Sequence, residues 1–414
     1  MLTPPPVAQS GYSMAFSSER RSNYLRGGIT FQAAHDDDLL TSTNGQAVGD
    51  WSYSIWPTIS LDQSWSRFHW TVTYIPGFTF YQHSNSFSAS SYNQQDQNLA
   101  IAAQYRLSPH VTLSLHDELQ RTSNLFNQPL LESASTVTGG TQGPNYSIVS
   151  PISAVLRNTA GAELTYQFAR NDMVGASGTF SNLHFLDQTQ VSGLYDASAR
   201  GATAFYTHRI SARHYVGVAY LYQDLLTYPP GPENQTLTNT ALGFYSYYPT
   251  RTLSFSVFAG PQHSDTVQFG GAHVLAWSTA AGASAAWQGR RTSLAASYLR
   301  TITDGGGLVG AVRSSSGNAS ARQQLTKLWS AGALASYSEN TLLDADVPSV
   351  FSSGGHTLSG SVWGQRLIGQ HFTVQLGYAH IHQSYSDIIA IAPVTDRNRE
   401  WVSISYQFVR PLGR

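Results

Sequence analysis

Hydrophobic and polar residues alternate one by one along most of the chain. Residues 401–408 read WVSISYQF, and the same alternation recurs at residues 372–379 and 174–181. Successive side chains of a β-strand point to opposite faces, so each segment predicts a strand with one apolar, aromatic face and one face of small and polar residues. Apolar spacing typical of a helix is hard to find. The sequence therefore predicts an all-β protein.

The spacing of these segments predicts how the strands connect. The joints after even-numbered segments are tight, as at Ser108-Pro109 and Pro249-Thr250, whereas the joints after odd-numbered segments are long and polar. Short and long joints alternate throughout, which is typical of an up-and-down antiparallel barrel with short periplasmic turns and long extracellular loops. We expect about 18 strands (16–18), near residues 24–34, 52–63, 67–80, 96–107, 110–120, 159–169, 172–183, 198–209, 214–223, 237–248, 251–260, 274–287, 291–300, 311–324, 328–339, 356–367, 371–382 and 399–410.

Composition argues against an ordinary soluble protein. Charged residues make up 11% of the 414 residues, and aromatic residues 12%, whereas a soluble domain carries about 25% charged residues. A net charge of −1 excludes an electrostatic nucleic-acid binder, which needs a basic face. The absence of cysteine excludes disulfides and thiolate metal sites.

The number of strands indicates which face meets lipid. A barrel of 16–18 strands is too wide to fill with side chains, so its polar face lines an aqueous lumen and its apolar face looks outward. Trp277 and Trp287 share one face and lie ten residues apart, which is roughly 25 Å along a tilted strand, the expected separation of two aromatic girdles. The expected lipid-facing girdle residues are Trp70, Tyr74, Trp277, Trp287, Tyr378, Tyr406 and Phe408.

The chain resembles the porin-like group of bacterial outer-membrane β-barrels. The resemblance is one of pattern over nearly the whole chain, and the opening strand at residues 27–38, GGITFQAAHDDD, ends in aspartates as in that group. It implies a transmembrane β-barrel at residues 24–414 of the bacterial cell outer membrane, with a role in the passage of molecules. Residues 1–23, rich in Pro and Ser, are expected to form a periplasmic lead-in, and we expect the sequence to begin after a removed signal peptide.

The residue types at the inward positions indicate which class of solute could pass. They are mainly Ser, Thr, Gly and Gln, and their charged members are few, chiefly Asp62, Arg106 and Glu163. Hydroxyls, amides and some tryptophans suit neutral, small polar solutes, including saccharides, because amides bond hydroxyls and aromatic faces stack on sugar rings. The expected lumen-lining residues are Trp56, Asp62, Arg106, Glu163, Gln167, Trp363, Gln365, Gln375, Ser405 and Gln407.

The function predicted from these features is passive, porin-like passage of such solutes, with outer-membrane lipid and the barrel-assembly machinery as partners and with no cofactor. Two alternatives are a barrel for exopolysaccharide export with periplasmic partners, and a structural or adhesive surface barrel. An enzyme is not expected, because no nucleophile-elbow or paired-carboxylate spacing stands out.

Three local features have competing interpretations. Asp36, Asp37 and Asp38 form a weak Ca²⁺ candidate, against a solvated cluster at a strand end. The basic residues of Arg397-Asn398-Arg399 are expected at a rim, where they would meet anionic lipid headgroups. The loop at residues 121–158 either folds into the lumen and narrows it or stays outside.

Overall fold

The computed structural model describes residues 23–38, 49–82, 93–122, 154–186, 194–229, 233–267, 273–308, 310–343, 354–385 and 394–412. These residues form one antiparallel sheet of 18 strands. The strands are β1 (Tyr24–Asp36), β2 (Asp50–Ser64), β3 (Phe68–Tyr81), β4 (Gln94–Arg106), β5 (Val111–Thr122), β6 (Val155–Tyr166), β7 (Asp172–Phe185), β8 (Asp196–Arg209), β9 (His214–Tyr228), β10 (Asn234–Thr250), β11 (Leu253–Val267), β12 (His273–Gln288), β13 (Thr292–Thr303), β14 (Val312–Gln324), β15 (Trp329–Leu342), β16 (Gly354–Ile368), β17 (Phe372–Tyr385) and β18 (Val394–Pro411).

The sheet closes on itself. Every strand pairs with its neighbours in sequence, and β1 also pairs with β18 from Tyr24 opposite Pro411 to Asp36 opposite Arg399. The prediction of an 18-stranded up-and-down barrel is therefore confirmed. In the described part of the chain, no helix is long and apolar enough to cross a membrane.

Connections of two kinds define the two ends of the barrel. Turns of two to five residues follow the even-numbered strands, and we call this end the turn rim. The connections after the odd-numbered strands meet at the other end, the loop rim, and they reach the length of residues 123–154. The predicted lead-in at residues 1–23 lies almost wholly outside the described residues and stays a prediction, as does the assignment of the turn rim to the periplasm.

The two faces of the wall differ as the alternation predicts. On β2, Asp50, Ser52 and Ser54 point inward and are buried, whereas Trp51 and Tyr53 point outward and are about half exposed. Large apolar side chains are exposed on the outer face of many strands. An exposed apolar surface of this extent is stable only against hydrocarbon, so the outside of the barrel is its lipid-facing side.

Several inward aromatic rings lie flat on the wall instead of filling the lumen. A Cβ added at Gly77 would meet the Trp56 ring at 2.2 Å, one at Gly217 would meet Phe244 at 2.2 Å, and one at Gly377 would meet the Trp401 ring at 2.2 Å. Each glycine sits on the strand next to its ring, so the missing side chain gives the ring a place against the backbone. Glycines thereby keep these aromatic rings out of the centre of the lumen.

Gly217→Ala is expected to lower the free energy of unfolding by about 1–3 kcal/mol, as overpacking does, because the added Cβ would lie 2.2 Å from the Tyr206 carbonyl oxygen as well as from Phe244. Gly178→Ala is the matched control, since its Cβ would meet only a carbonyl oxygen at 3.9 Å. Urea unfolding of the protein in detergent micelles measures both. Equal stability of the two variants would contradict this packing.

Candidate functional site

A buried ion pair lies inside the barrel near the loop rim. Arg397 donates from Nε and Nη2 to Oδ1 of Asp36, at 2.9 and 2.7 Å, and Arg399 Nη1 lies 4.0 Å from Oδ2. Strand pairing explains the arrangement, because β1 and β18 are neighbours and Asp36 stands opposite Arg399. The side chains of all three residues are at most 3% exposed. A carboxylate buried in this way is stable because charged donors surround it.

More charged residues line the same side of the interior. Asp50 of β2 stands opposite Asp36 of β1, and Arg157 is buried on β6. Tyr81 and Asp96, on β3 and β4, lie close enough to Arg399 to act on its charge. Arg399 lies on the inner face of β18 together with Arg397 and Trp401, so its side chain points toward the lumen. We call this set the charged arc: Asp36, Asp50, Asp96, Arg157, Arg397 and Arg399.

Two expectations about this end of the barrel were wrong. Arg397 and Arg399 do not face lipid headgroups, because their side chains point inward toward Asp36. Asp36 and Asp37 do not stand free for Ca²⁺, because Arg397 bonds the first and the Asn398 backbone N–H donates to Asp37 Oδ1 at 2.7 Å. No cluster of three or more metal-binding side chains occurs among the described residues. The alternation of β18 places residues 397 and 399 on the inner face with Trp401, and this parity could have shown it from the sequence.

The β13–β14 connection folds into the lumen from the other side. Asp304, Gly305, Gly306, Gly307 and Leu308 are all buried, and the Leu308 backbone N–H donates to the Gly305 carbonyl oxygen at 3.4 Å, which closes a tight turn. Residues 304–311, of which 309 is not described, are called the inward connection below. The inward connection is therefore the connection that the described residues place inside the barrel. The loop predicted at residues 121–158 lies mostly outside the described residues, since residues 123–153 are not described, and its role stays a prediction.

Contacts with distant strands hold the inward connection in place. The Tyr195 backbone N–H, before β8, donates to the Gly307 carbonyl oxygen at 2.8 Å. Gly310 packs against Asn234 of β10, leaving no room for a Cβ. An apolar cluster of residues from β6, β7, β8, β14 and β17 surrounds Leu308. Strands β7 to β10 lie opposite β1 in the ring, whereas Tyr385 of the same cluster belongs to β17, beside β18. The inward connection and its cluster therefore narrow the lumen from the far wall up to the strand beside the charged arc.

The sequence signal for the inward connection was its glycine content. Gly305, Gly306, Gly307 and Gly310 all have positive φ angles, between 63° and 111°. Such angles are strained for other residues, so the glycines allow a chain path that turns sharply inward. The alternation of short and long joints predicts this connection only as one of the loops after odd-numbered strands.

The predicted lumen residues lie on the inner face of their strands, except for Gln167. Trp56 and Glu163 are buried, at 1% and 4% exposure. Gln167 lies in the β6–β7 turn, where its Nε2 donates to the Arg170 carbonyl oxygen at 3.2 Å. Asp62, Trp363, Gln365, Gln375 and Ser405 are partly buried, and Arg106 and Gln407 are exposed at the turn rim. Because Trp56 is covered, its ring offers no face for stacking on a solute.

The predicted girdle residues all lie on the outer face. Trp277 is 72% exposed and Trp287 41%. Near the turn rim, outward rings touch between neighbouring strands, as Phe372 and Tyr406 do with centroids 5.0 Å apart. The remaining members are Trp70, Tyr74, Tyr378 and Phe408, on β3, β17 and β18.

A closed barrel of 18 strands, apolar outside and polar along much of its inner wall, is a bacterial outer-membrane β-barrel. Similar solved structures include Pseudomonas aeruginosa OpdK with vanillate, at 10% identity and a TM-score of 0.42, covering 93% of this chain and 99% of that one. Pseudomonas aeruginosa OccK2 in complex with glucuronate has 10% identity and a TM-score of 0.44, with 93% and 98% covered. The FrpB iron transporter of Neisseria meningitidis has 11% identity and a TM-score of 0.46, with 92% and 66% covered.

At these TM-scores the comparisons assign neither a family nor a solute to this chain. No family model matches the sequence, and no curated protein matches it either.

Asp36→Asn is expected to cost about 3–5 kcal/mol of unfolding free energy, because it leaves buried guanidinium groups without their carboxylate. The double variant Asp36→Leu/Arg397→Met removes the directly bonded pair but leaves the Arg399 guanidinium, and is expected to recover part of that loss. Asp62→Asn, at a partly exposed inward carboxylate, is the control. Urea unfolding in micelles gives the three values, and a stability of Asp36→Asn equal to that of the control would contradict the buried pair.

Proposed function

We propose that this barrel is a porin-like channel for passive passage of small polar solutes. The observation that supports the proposal is the narrowing of a polar lumen between the charged arc and the inward connection. A channel narrowed by fixed side chains selects solutes by size and by hydrogen bonding. The inner wall offers such groups at partly buried positions, for example the hydroxyls of Ser60 and Thr73, 2.9 Å apart, and of Ser405.

The charges at the narrowing favour solutes without strong net charge. The charged arc contains three carboxylates and three guanidinium groups, and both Arg397 and Arg399 lie within 4.0 Å of the Asp36 carboxylate. Opposite charges at such short range cancel much of each other's field at a distance, so neither anions nor cations gain a large advantage. Saccharides are one class of solute that fits, through hydrogen bonds between their hydroxyls and the partly buried Ser, Thr and Gln side chains of the inner wall.

Export of a polysaccharide with periplasmic partners and a structural or adhesive role stay hypotheses, because no contact in the described residues favours either one. A structural barrel predicts no conductance, so the same bilayer recording separates it from a channel.

In a planar bilayer with a KCl gradient, we expect stable open channels with a reversal potential close to zero, because the arc is balanced in charge. Adding neutral sugars to one side is expected to reduce the current by occupying the narrowing. Strong preference for either ion, or no conductance at all, would contradict the proposal.

Replacing residues 304–311 by Asn-Gly is expected to increase single-channel conductance, because Thr303 and Val312 already pair and a two-residue turn would join them without an inward segment. The control replaces the turn Gly289–Arg291 at the opposite rim by Asn-Gly, with unchanged conductance expected. Equal conductance of the two variants would show that the inward connection does not narrow the channel.

A further inference from the structure

The barrel wall is incompletely paired at one place, between β12 and β13. These strands pair only from Ala281 opposite Arg300 to Gln288 opposite Ser293. On its other side, β12 pairs with β11 from His273 to Trp287. The loop-side half of β12, residues 273–280, therefore has a neighbour on one side only within the described part of the chain.

The missing neighbour is the end of β13, which bends into the lumen. Ile302 would point outward if β13 stayed in the wall, yet it is completely buried and packs in a cluster with Leu225 and Ala311. Gln262 of β11 holds the bent end, since its Nε2 donates to Thr301 Oγ1 at 3.4 Å. The inward connection thus draws β13 away from β12 and leaves a slit in the wall toward the loop rim.

The outer edge of this slit lies at the level of Trp277, the girdle residue of β12 near the loop rim. Trp277 and Leu275 are 72% and 65% exposed, the largest values among the exposed aromatic and aliphatic side chains of the barrel. From Ala281 to Trp277 the slit spans about four residues, or roughly 10 Å along the tilted strand, so it opens within the leaflet on the loop-rim side, which is the outer leaflet if the turn rim is periplasmic as predicted.

The inner side of the slit joins an apolar strip on the lumen wall. Ala280 and Leu299 flank the last paired positions and belong to a buried cluster with Phe258, Leu242 and Phe244, which continues to β7. Polar groups sit beside this strip, since Ser278 donates from Oγ to Gln262 Oε1 at 3.4 Å. The slit therefore offers apolar and hydrogen-bonding surface side by side.

The backbone groups of β12 that face the slit need hydrogen-bond partners. About half of the N–H and C=O groups of residues 273–280 point away from β11, and none of them forms a backbone hydrogen bond across the slit to a described residue. Such groups are costly in hydrocarbon, at several kcal/mol each. Water from the lumen or the polar end of a bound molecule would satisfy them.

We propose that the slit between β12 and β13 is a lateral opening that connects the lumen with the outer leaflet, and that its ligands are amphipathic molecules. The polar end of such a molecule bonds the unpaired edge of β12 beside Ser278, while its acyl chain lies between Leu275, Trp277 and lipid. This route goes beyond the proposed passage of polar solutes through the lumen and does not depend on it.

Thiol labelling from the lipid phase tests this opening, because the natural chain contains no cysteine. Ser278→Cys and Ser284→Cys place one thiol each on the inner face of β12, both at partly buried positions. Ser284 lies in the paired half, opposite Ser297, and is the matched control. The refolded variants in phospholipid vesicles are treated with N-dodecylmaleimide, which partitions into the bilayer, and separately with a water-soluble maleimide.

We expect N-dodecylmaleimide to modify Ser278→Cys several-fold faster than Ser284→Cys, with each rate divided by the rate for the water-soluble reagent. Equal ratios, or no lipid-phase labelling of either variant, would overturn the lateral opening. Conductance of the same samples is recorded separately. Conductance without preferential labelling refutes only the opening, and preferential labelling without conductance refutes only the channel.

Discussion

Pairing of backbone groups inside a membrane is the constraint on which this structure depends. In hydrocarbon each unpaired N–H or C=O costs several kcal/mol, so a sheet that spans a membrane has to close. The pairing of β1 with β18 over the whole length of β1 meets that requirement and also brings Asp36 next to Arg397 and Arg399. The same closure that makes the barrel stable in lipid therefore assembles the charged arc. The slit beside β12, eight residues long, is the longest interruption of pairing among the described strands, and it is the one that we interpret functionally.

Inside the barrel, large side chains stay close to the wall, and only the inward connection leaves it. Aromatic rings lie on glycines of neighbouring strands, as Trp56 does on Gly77. The space inside the wall is then occupied by the side chains of Arg397 and Arg399 and by the inward connection. The inward connection has two effects, because it narrows the lumen and also pulls the end of β13 out of the wall. Channel width and lateral access thus depend on one short, glycine-rich segment.

The sequence predicted the fold well because two local signals determine it. Alternation gives each strand its faces, and the lengths of the joints give the order of the strands, so 18 strands could be expected without any long-range information. The site was predicted less well. The inward charges near the loop rim were missed because Arg397 and Arg399 were assigned to the rim from their position near a strand end, although their parity with Trp401 places them inside. The inward path of residues 304–311 could not be predicted, because it depends on contacts with Tyr195 and Asn234, which are far away in sequence. The same holds for the bend of β13, which alternation alone would continue along the wall.

The orientation of the two faces is the central claim, and fluorescence quenching by lipid tests it most directly. Variants that keep a single tryptophan, either Trp277 or Trp56, are refolded into vesicles whose acyl chains carry bromine, a quencher that acts at contact. The account predicts strong quenching of Trp277, which is 72% exposed on the outer face, and little quenching of Trp56, which is buried on the inner face. Quenching of Trp56 with no quenching of Trp277 would mean that the polar face meets lipid, and the account would then be wrong.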